Sequence, residues 1–387
     1  MDPWNGSGTT TSVATVRGLR SFGVDVNPAL TIIARARLTP TSLANRIDRI
    51  GAKIVRMAPG ITPETRTIEP LAVWLRMQSL TDLRRIQHAI HLQADCDDPT
   101  ETMLASNPEN AASLISPTTA LLYTALFATC RDLLRPFRTS NPTWIHAPGS
   151  YRHRIQPSTE YIHSLFMRRL KFLCSRLTVN GENPENYAVI CTGTAQSVLP
   201  STPTFDACLA SPPYATRIDY VKASLPELSL LGVSAADITK LRRSSTGTPI
   251  VRDTSKAVPN TLSTRAVDLI RDVATHGSHG SASYYGPWLK NYLVELDQTL
   301  RAVDDAVTDE GTIALVVQDS YYKEIRIDLQ SLVGDSLETR GWKLIDRHDF
   351  AVTRSLASMN SRSRAHLIKR QNTESLLVFR RAGESCP

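Results

Sequence analysis

What the 387-residue sequence lacks narrows it first. It has no stretch of 18 apolar residues and no basic–apolar–small-residue leader, so neither a membrane span nor a secretory signal is legible. Cysteine is sparse: the six, at 96, 130, 174, 191, 208 and 386, lie far apart with no C-x-x-C pair. That spacing argues against a zinc site, so no metal is expected, and it fits reduced thiols in a cytoplasm. Acid is also in deficit. There are 44 Lys and Arg against 37 Asp and Glu, a net charge of +7 and a pI near 9.1, which suggests a polyanionic partner. The length exceeds what one core organises comfortably, so a main domain with an inserted or added second one is expected.

Of what is present, Ser211-Pro212-Pro213-Tyr214 is the most informative stretch. It closes an apolar run, Phe205-Asp206-Ala207-Cys208-Leu209-Ala210, of the length of a buried strand. Two successive prolines neither continue a sheet nor sit in a helix interior, so the chain turns sharply there. In open α/β folds the carboxyl edge of the sheet is where ligands bind, and Tyr214 offers a flat face for stacking at that edge. A plain strand end with a surface tyrosine fits these four residues equally well.

A second stretch lies at the N-terminus, Asp2-Pro3-Trp4-Asn5-Gly6-Ser7-Gly8-Thr9-Thr10-Thr11. Gly-Ser-Gly makes a loop whose backbone N–H groups can approach a ligand closely, and the threonines can start the helix that follows. Residues 19–26 read as a strand with Asp25 near its end. An acidic side chain about 20 residues beyond a glycine loop is placed to hydrogen-bond a ribose diol.

Together these pieces resemble the amino-methylating DNA methyltransferases that use S-adenosylmethionine. Asp2 to Thr10 is similar to the family's D-P-F-x-G-S-G-T-T loop, with Trp4 in place of Phe, and Gly23-Val24-Asp25-Val26-Asn27-Pro28 to its acidic motif. Ser211 to Tyr214 resembles its S-P-P-Y catalytic motif, a form more typical of cytosine-N4 than of adenine-N6 enzymes. The tail, T-I-A-L-V-V-Q-D-S from Thr312 and the residues up to Trp342, resembles the family's fifth strand and following helix. The recognisable pieces cover roughly residues 1–40, 185–235 and 285–381.

The resemblance implies an α/β fold. Its elements would be a Rossmann-like methyltransferase sheet with helices on both faces, an antiparallel C-terminal strand pair and a mostly helical insertion. Residues 1–40 and 181–387 would form the catalytic domain, with a polar insertion at about 240–283, and 41–180 the target-recognition part. Asp2, Pro3, Trp4, Gly6, Ser7, Gly8, Thr9 and Thr10 would line S-adenosylmethionine, with Asp25 on its ribose. The family often places an acid after the next strand to hold the adenine amine; here Gly193-Thr194 follows, which leaves that contact to the Thr194 hydroxyl. The family's glycine loop follows a strand, whereas only Met1 precedes Asp2. The resemblance therefore implies a truncated chain or a partner polypeptide that supplies the first strand.

The segments between carry less. Residues 28–38, 41–57 (Ser42 as cap), 68–92, 118–134 and 161–176 have helical periodicity, and 95–117 reads as a polar loop. Strands are expected at 187–194, 312–317, 342–352 and 375–381, and helices at 284–307 and 327–339. Between positions 131 and 176 stand nine Lys and Arg against Asp132 and Glu160, interleaved with Trp144, Tyr151 and Tyr161. That mixture suits phosphate contact and base stacking, or else a solvated helix face. Arg152, Arg154, Arg168, Arg169 and Lys171 are its candidate contacts with double-stranded DNA. Residues 354–370 hold five Lys and Arg and no acid, among them Arg362 and Arg364, the second candidate set. Residues 240–283 read as a DNA-facing loop or a merely exposed one.

The chemistry implied is in-line attack of an exocyclic amine on a methyl sulfonium. It needs alignment, exclusion of water and a base flipped out of the duplex, with no cysteine nucleophile, metal or histidine base. The absence of a Pro-Cys pair argues against the C5-cytosine branch. The leading expectation is a cytosine-N4 DNA methyltransferase of a prokaryotic or phage restriction-modification system. The alternatives are adenine-N6 chemistry, RNA amino-methylation, and a catalytically weak DNA-binding subunit that needs a partner.

Overall fold

The computed structural model describes residues 1–63, 68–95, 97–139, 145–177, 187–251, 259–351 and 373–382. They form two compact units. A helical unit comprises Asn5–Gly193 and Val221–Leu241; a sheet unit comprises Met1–Trp4, Thr194–Tyr220 and Arg242–Pro387.

The helical unit begins with α1 (Thr9–Val16), which starts from Gly8 in the left-handed conformation at φ 82°. β1 (Ser21–Asp25) leads into α2 (Pro28–Ala36). The Asn27 side chain accepts the Ala29 N–H, and Pro28 occupies the first turn, where its missing N–H costs nothing. α3 (Ala44–Met57) buries Ile47, Gly51 and Ile54 on one face; Ser42 does not cap it, because a short 3-10 turn at Thr41–Leu43 intervenes. α4 (Met77–His91) is shorter than the helix expected over 68–92. Leu75 bridges Ile155, and the Arg76 N–H donates to the Ile155 carbonyl at 2.9 Å, which takes that backbone out of helical bonding.

The stretch expected to be a loop at 95–117 instead holds α5 (Glu101–Ser106) and α6 (Pro108–Leu114). Its Thr, Asn and Pro residues are helix-start signals: Thr100 accepts the Met103 N–H, and Pro108 stands at a first turn. α7 (Pro117–Leu133), capped by Ser116, is the centre of the unit's core, with Leu121, Leu122, Tyr123, Leu126 and Phe127 buried. α8 (Thr159–Cys174), capped by Ser158, packs on it. β2 (Ala188–Thr192) then pairs in parallel with β1, from Ser21 opposite Ala188 to Asp25 opposite Thr192.

Next in the chain come α9 (Ala195–Val198), β3 (Phe205–Ala210), α10 (Tyr220–Ala223), α11 (Leu225–Leu231) and α12 (Ala235–Ser244). α11 belongs to the first core through Leu228, Leu230 and Leu231. The rest is α13 (Thr264–Thr275), α14 (Gly286–Ala306), β4 (Val307–Gln318), β5 (Ser320–Tyr322), β6 (Ile325–Ile327), α15 (Leu329–Glu338), β7 (Trp342–Ala351) and β8 (Thr373–Arg381). The sheet runs β3-β4-β8-β7, with β3 parallel to β4 and β8 antiparallel to both β4 and β7. Ile313, Leu315 and Val317 alternate inward on β4, with α14 and α15 packed in the same core.

The chain is thus mixed α/β with the expected antiparallel C-terminal pair. Two other features stand beside that layout. Among the described residues β1 pairs with one strand, β2, as a separate two-stranded sheet, and it clusters with the helices. Compactness therefore does not follow the expected division of 1–40 with 181–387 around an insertion at 41–180. The stretch at 240–283 holds the end of α12, up to Ser244, and all of α13, from Thr264 to Thr275; residues 252–258 lie outside the described set. Met1 lies along β3. Its ammonium donates to the Ala207 carbonyl at 2.6 Å, and its carbonyl accepts the Leu209 N–H at 3.0 Å, one step of a parallel ladder. No helix among the described residues is long and apolar enough to cross a membrane.

Candidate functional site

In the sheet unit the Ser-Pro-Pro-Tyr turn follows β3 directly. The Ser211 hydroxyl donates to the Val316 carbonyl on β4 at 3.1 Å, and also lies 3.4 Å from the Tyr214 phenol oxygen. Its one hydrogen is thus directed inward, which leaves oxygen lone pairs to accept from outside. The Tyr292 phenol, buried on α14, donates to the Pro213 carbonyl at 2.8 Å, and Ser320 donates to the Ala215 carbonyl at 2.9 Å. Two backbone carbonyls of the turn are thereby tied to the scaffold, while no hydrogen bond reaches the Pro212 carbonyl among the described residues. Of these acceptors the Ser211 oxygen stands on an exposed residue, while Pro212 is buried.

Tyr214 is half-buried, and its phenol donates to the Glu374 carboxylate on β8 at 2.6 Å. Burial first, then this bond, pushes the phenol up to about 12, so it stays neutral at physiological pH. The ring is held at both ends, by the backbone turn and by its hydroxyl, which suits a fixed stacking platform better than a proton carrier. Neither Glu374 nor Tyr292 was legible as a site residue. Their only signal is proximity in space, across 160 and 79 positions of sequence. Beyond the turn, Arg217 sits at φ 56° with its guanidinium 4.6 Å from the Tyr285 ring centroid.

In the helical unit the glycine loop and the acidic strand end meet. The Gly6 N–H donates to one Asp25 oxygen at 2.9 Å, the Asn27 N–H to the other at 2.8 Å, and the Asn5 N–H to the Val24 carbonyl at 2.9 Å. Asp25 is therefore oriented by the loop itself. Carboxylate oxygens accept from hydroxyl as well as N–H donors. Gly6 and Gly8 have φ of 53° and 82°, and a Cβ on Gly8 would lie 2.7 Å from the Ala34 Cβ on α2. Only glycine permits that approach. Gly23 has the same function in β1, where a Cβ would strike the Asn5 side chain 2.5 Å away. No side chain caps α1, so its first N–H groups have no side-chain acceptor from the cap position. A tight glycine turn, a helix start and an oriented carboxylate are groups that can hold a small molecule carrying an anionic group and hydroxyls.

The remaining candidates are spread further. In the sheet unit Asp2 and Pro3 are buried, and the Asp2 carboxylate accepts the Trp4 N–H at 3.0 Å, while Trp4 packs against the core. Asp2 and Pro3 thus shape the start of the loop rather than present side chains to a ligand. Ser7, Thr9 and Thr10 stay at least partly exposed. Thr194 caps α9 in a reciprocal pair with Ser197, its hydroxyl 2.9 Å from the Ser197 oxygen.

Of the basic candidates, Arg131 is taken out of the patch by an ion pair with the buried Glu227, whose own carboxyl is pushed up by burial. Arg169 pairs with Asp132. Arg154 stacks 5.0 Å from the centroid of exposed Tyr151, Arg76 lies 5.7 Å from the same ring, and Arg152 is exposed beside them. Arg168 and Lys171 are exposed on α8. Arg362, Arg364 and Trp144 lie outside the described residues. No cluster of three His, Cys, Asp or Glu that could hold a metal ion occurs among the described residues.

No protein family, curated protein or solved structure matches the chain. The functional reading accordingly rests on these two local geometries and the chemistry they permit.

Proposed function

We propose that the protein is a DNA methyltransferase that transfers a methyl group from S-adenosylmethionine to the exocyclic N4 amine of a flipped-out cytosine in duplex DNA. The observation that carries this reading is the Ser-Pro-Pro-Tyr turn, with its serine hydrogen directed to Val316, which leaves the exposed Ser211 oxygen as an acceptor, and its tyrosine pinned by Glu374.

S-adenosylmethionine, when bound, supplies an electrophilic methyl group on sulfur. Tyr214 stacks on the flipped base, a contact worth about 1–3 kcal/mol per base. The Ser211 oxygen and the Pro212 carbonyl accept the two N–H bonds of the amine, which turns the nitrogen lone pair toward the methyl carbon and holds the reactants in line. The cationic nitrogen then loses one proton to water, so no basic side chain is required. Gly6, Gly8 and the start of α1 receive the cofactor's charged end, and Asp25 its ribose hydroxyls. The serine at position 211 supports cytosine over adenine as the target. A prokaryotic or phage modification enzyme in the cytoplasm is the setting that fits this chemistry.

Incubation of the purified chain with duplex DNA and S-adenosylmethionine labelled in the methyl group tests the reading. Label should enter the DNA with the native chain and fall to background with Ser211→Ala. Equal incorporation by both chains would sink it.

A further inference from the structure

α3 carries Arg46, Arg49, Lys53 and Arg56, all exposed, at spacings of three, four and three residues. They line one face of the helix over ten positions, about 15 Å. A solvated helix face ordinarily mixes signs. Here each neighbouring pair along the stripe is like-charged, and each such pair destabilises a helix by about 0.2–0.5 kcal/mol. None of the four meets a carboxylate within ion-pair distance among the described residues. The one acid on the helix, Asp48, is only partly exposed and lies close enough to Cys174 of α8 to help push that thiol up to about 11, after burial.

α8 lies against α3. Gly51 is what permits the approach, because a side chain there would run into Leu170. α8 adds the exposed Arg168 and Lys171, and just past its end the Arg176 guanidinium lies 5.3 Å from the centroid of the exposed Phe172 ring. The opposite face of α3 is spent on the core, with Ile47 and Ile54 at 0 % exposure, so it has no apolar face to lay on a lipid surface.

We propose that the outward faces of α3 and α8 form the surface that holds the phosphate backbone of duplex DNA, with the α3 stripe as its main electrostatic contact. The choice of duplex DNA rests on the function proposed above. The charge complementarity is independent of it: a stripe of about 15 Å spans roughly four base pairs of a duplex carrying one charge per 1.7 Å of axis. Repulsion within the stripe, unfavourable in the free chain, is relieved when phosphates replace counterions.

Titration of a fluorescent duplex of about 20 base pairs across a salt series tests this, comparing the native full chain with Arg46→Ala/Arg49→Ala/Lys53→Ala/Arg56→Ala. The slope of log affinity against log salt should fall in magnitude by about 3, and affinity near 0.1 M salt should drop about 100-fold or more. Arg271→Ala/Arg301→Ala/Lys343→Ala/Arg380→Ala, in the sheet unit, should change both far less. Thermal unfolding of the α3 variant should come no lower than that of the native chain, since the like-charge repulsion is gone, and its S-adenosylmethionine binding should match. An unchanged slope and affinity, or no duplex binding by the native chain, overturns the surface. Tighter binding of an RNA hairpin than of the duplex at equal salt overturns the choice of ligand. Native duplex binding that depends on the stripe, without methyl transfer, supports the surface while removing the proposed reaction.

Discussion

Tyr214 and Asp25 divide the proposed chemistry between them, and each is held by partners far away in sequence. With its hydroxyl anchored on Glu374, the Tyr214 ring is positioned before any base arrives, so the stacking energy is not spent on ordering the side chain. Tyr214→Ala should therefore lower methyl transfer about 100-fold, at the upper end of the stacking energy of one base. S-adenosylmethionine affinity, read by calorimetry, should change by less than threefold; a comparable loss of cofactor binding would contradict the division of roles. Asp25→Ala should do the reverse. Removal of a charged acceptor from two N–H groups and a diol should weaken cofactor binding about 10- to 100-fold, in line with 1.5–3 kcal/mol for hydrogen bonds to charged groups.

At the scale of elements, the helical unit is knit by buried polar contacts. Arg84, 4 % exposed at its side chain, reaches Glu69 at 2.7 Å and the carbonyl of Ser229 before α11's last residues at 3.1 Å. On α4, His91 shares a hydrogen bond of 2.5 Å with the Tyr123 hydroxyl of α7, and burial lowers it from 6.5 to about 4. The sign follows directly. The folded chain keeps this imidazole neutral where the unfolded chain takes a proton, so the stability it contributes is whole above pH 6.5 and drains as pH falls toward 4. By pH 5 the loss should be about 2 kcal/mol, seen as a lower urea midpoint that His91→Phe makes less steep in pH. A pH response unchanged in that variant would remove His91 as its source.

Elements with a strong period and a clear cap, such as α2, α7 and α8, were legible in the sequence because packing and local signals agree. α5 and α6 were not, since their Asn, Pro and Thr residues serve as well to start a helix as to build a loop. Nor was the break before α4, which comes from Ile155, a partner 80 positions from Leu75. The site was legible only where its residues adjoin in sequence. The Ser-Pro-Pro-Tyr turn and the glycine loop could be read, whereas Glu374, Tyr292 and Ser320 meet the turn only through the sheet. The α3 stripe was not read from the sequence, because its lack of counter-charges among the described residues is a property of the folded surface.

For the whole molecule, two separate hydrophobic cores, one around α7 and one around α14 and β4, predict that unfolding is not a single step. Calorimetry should resolve two components. Leu126→Ala should lower one and Leu293→Ala the other, each by about 2–5 kcal/mol. One transition shifted equally by both would show a single cooperative unit. The measurement that bears most directly on the central claim is nucleoside mass spectrometry of DNA from cells expressing the chain, beside cells expressing Ser211→Ala. N4-methylcytosine in the first and not the second is the predicted result. N6-methyladenine would keep the transfer chemistry and overturn the choice of base, and the absence of both modified bases would contradict the proposed function.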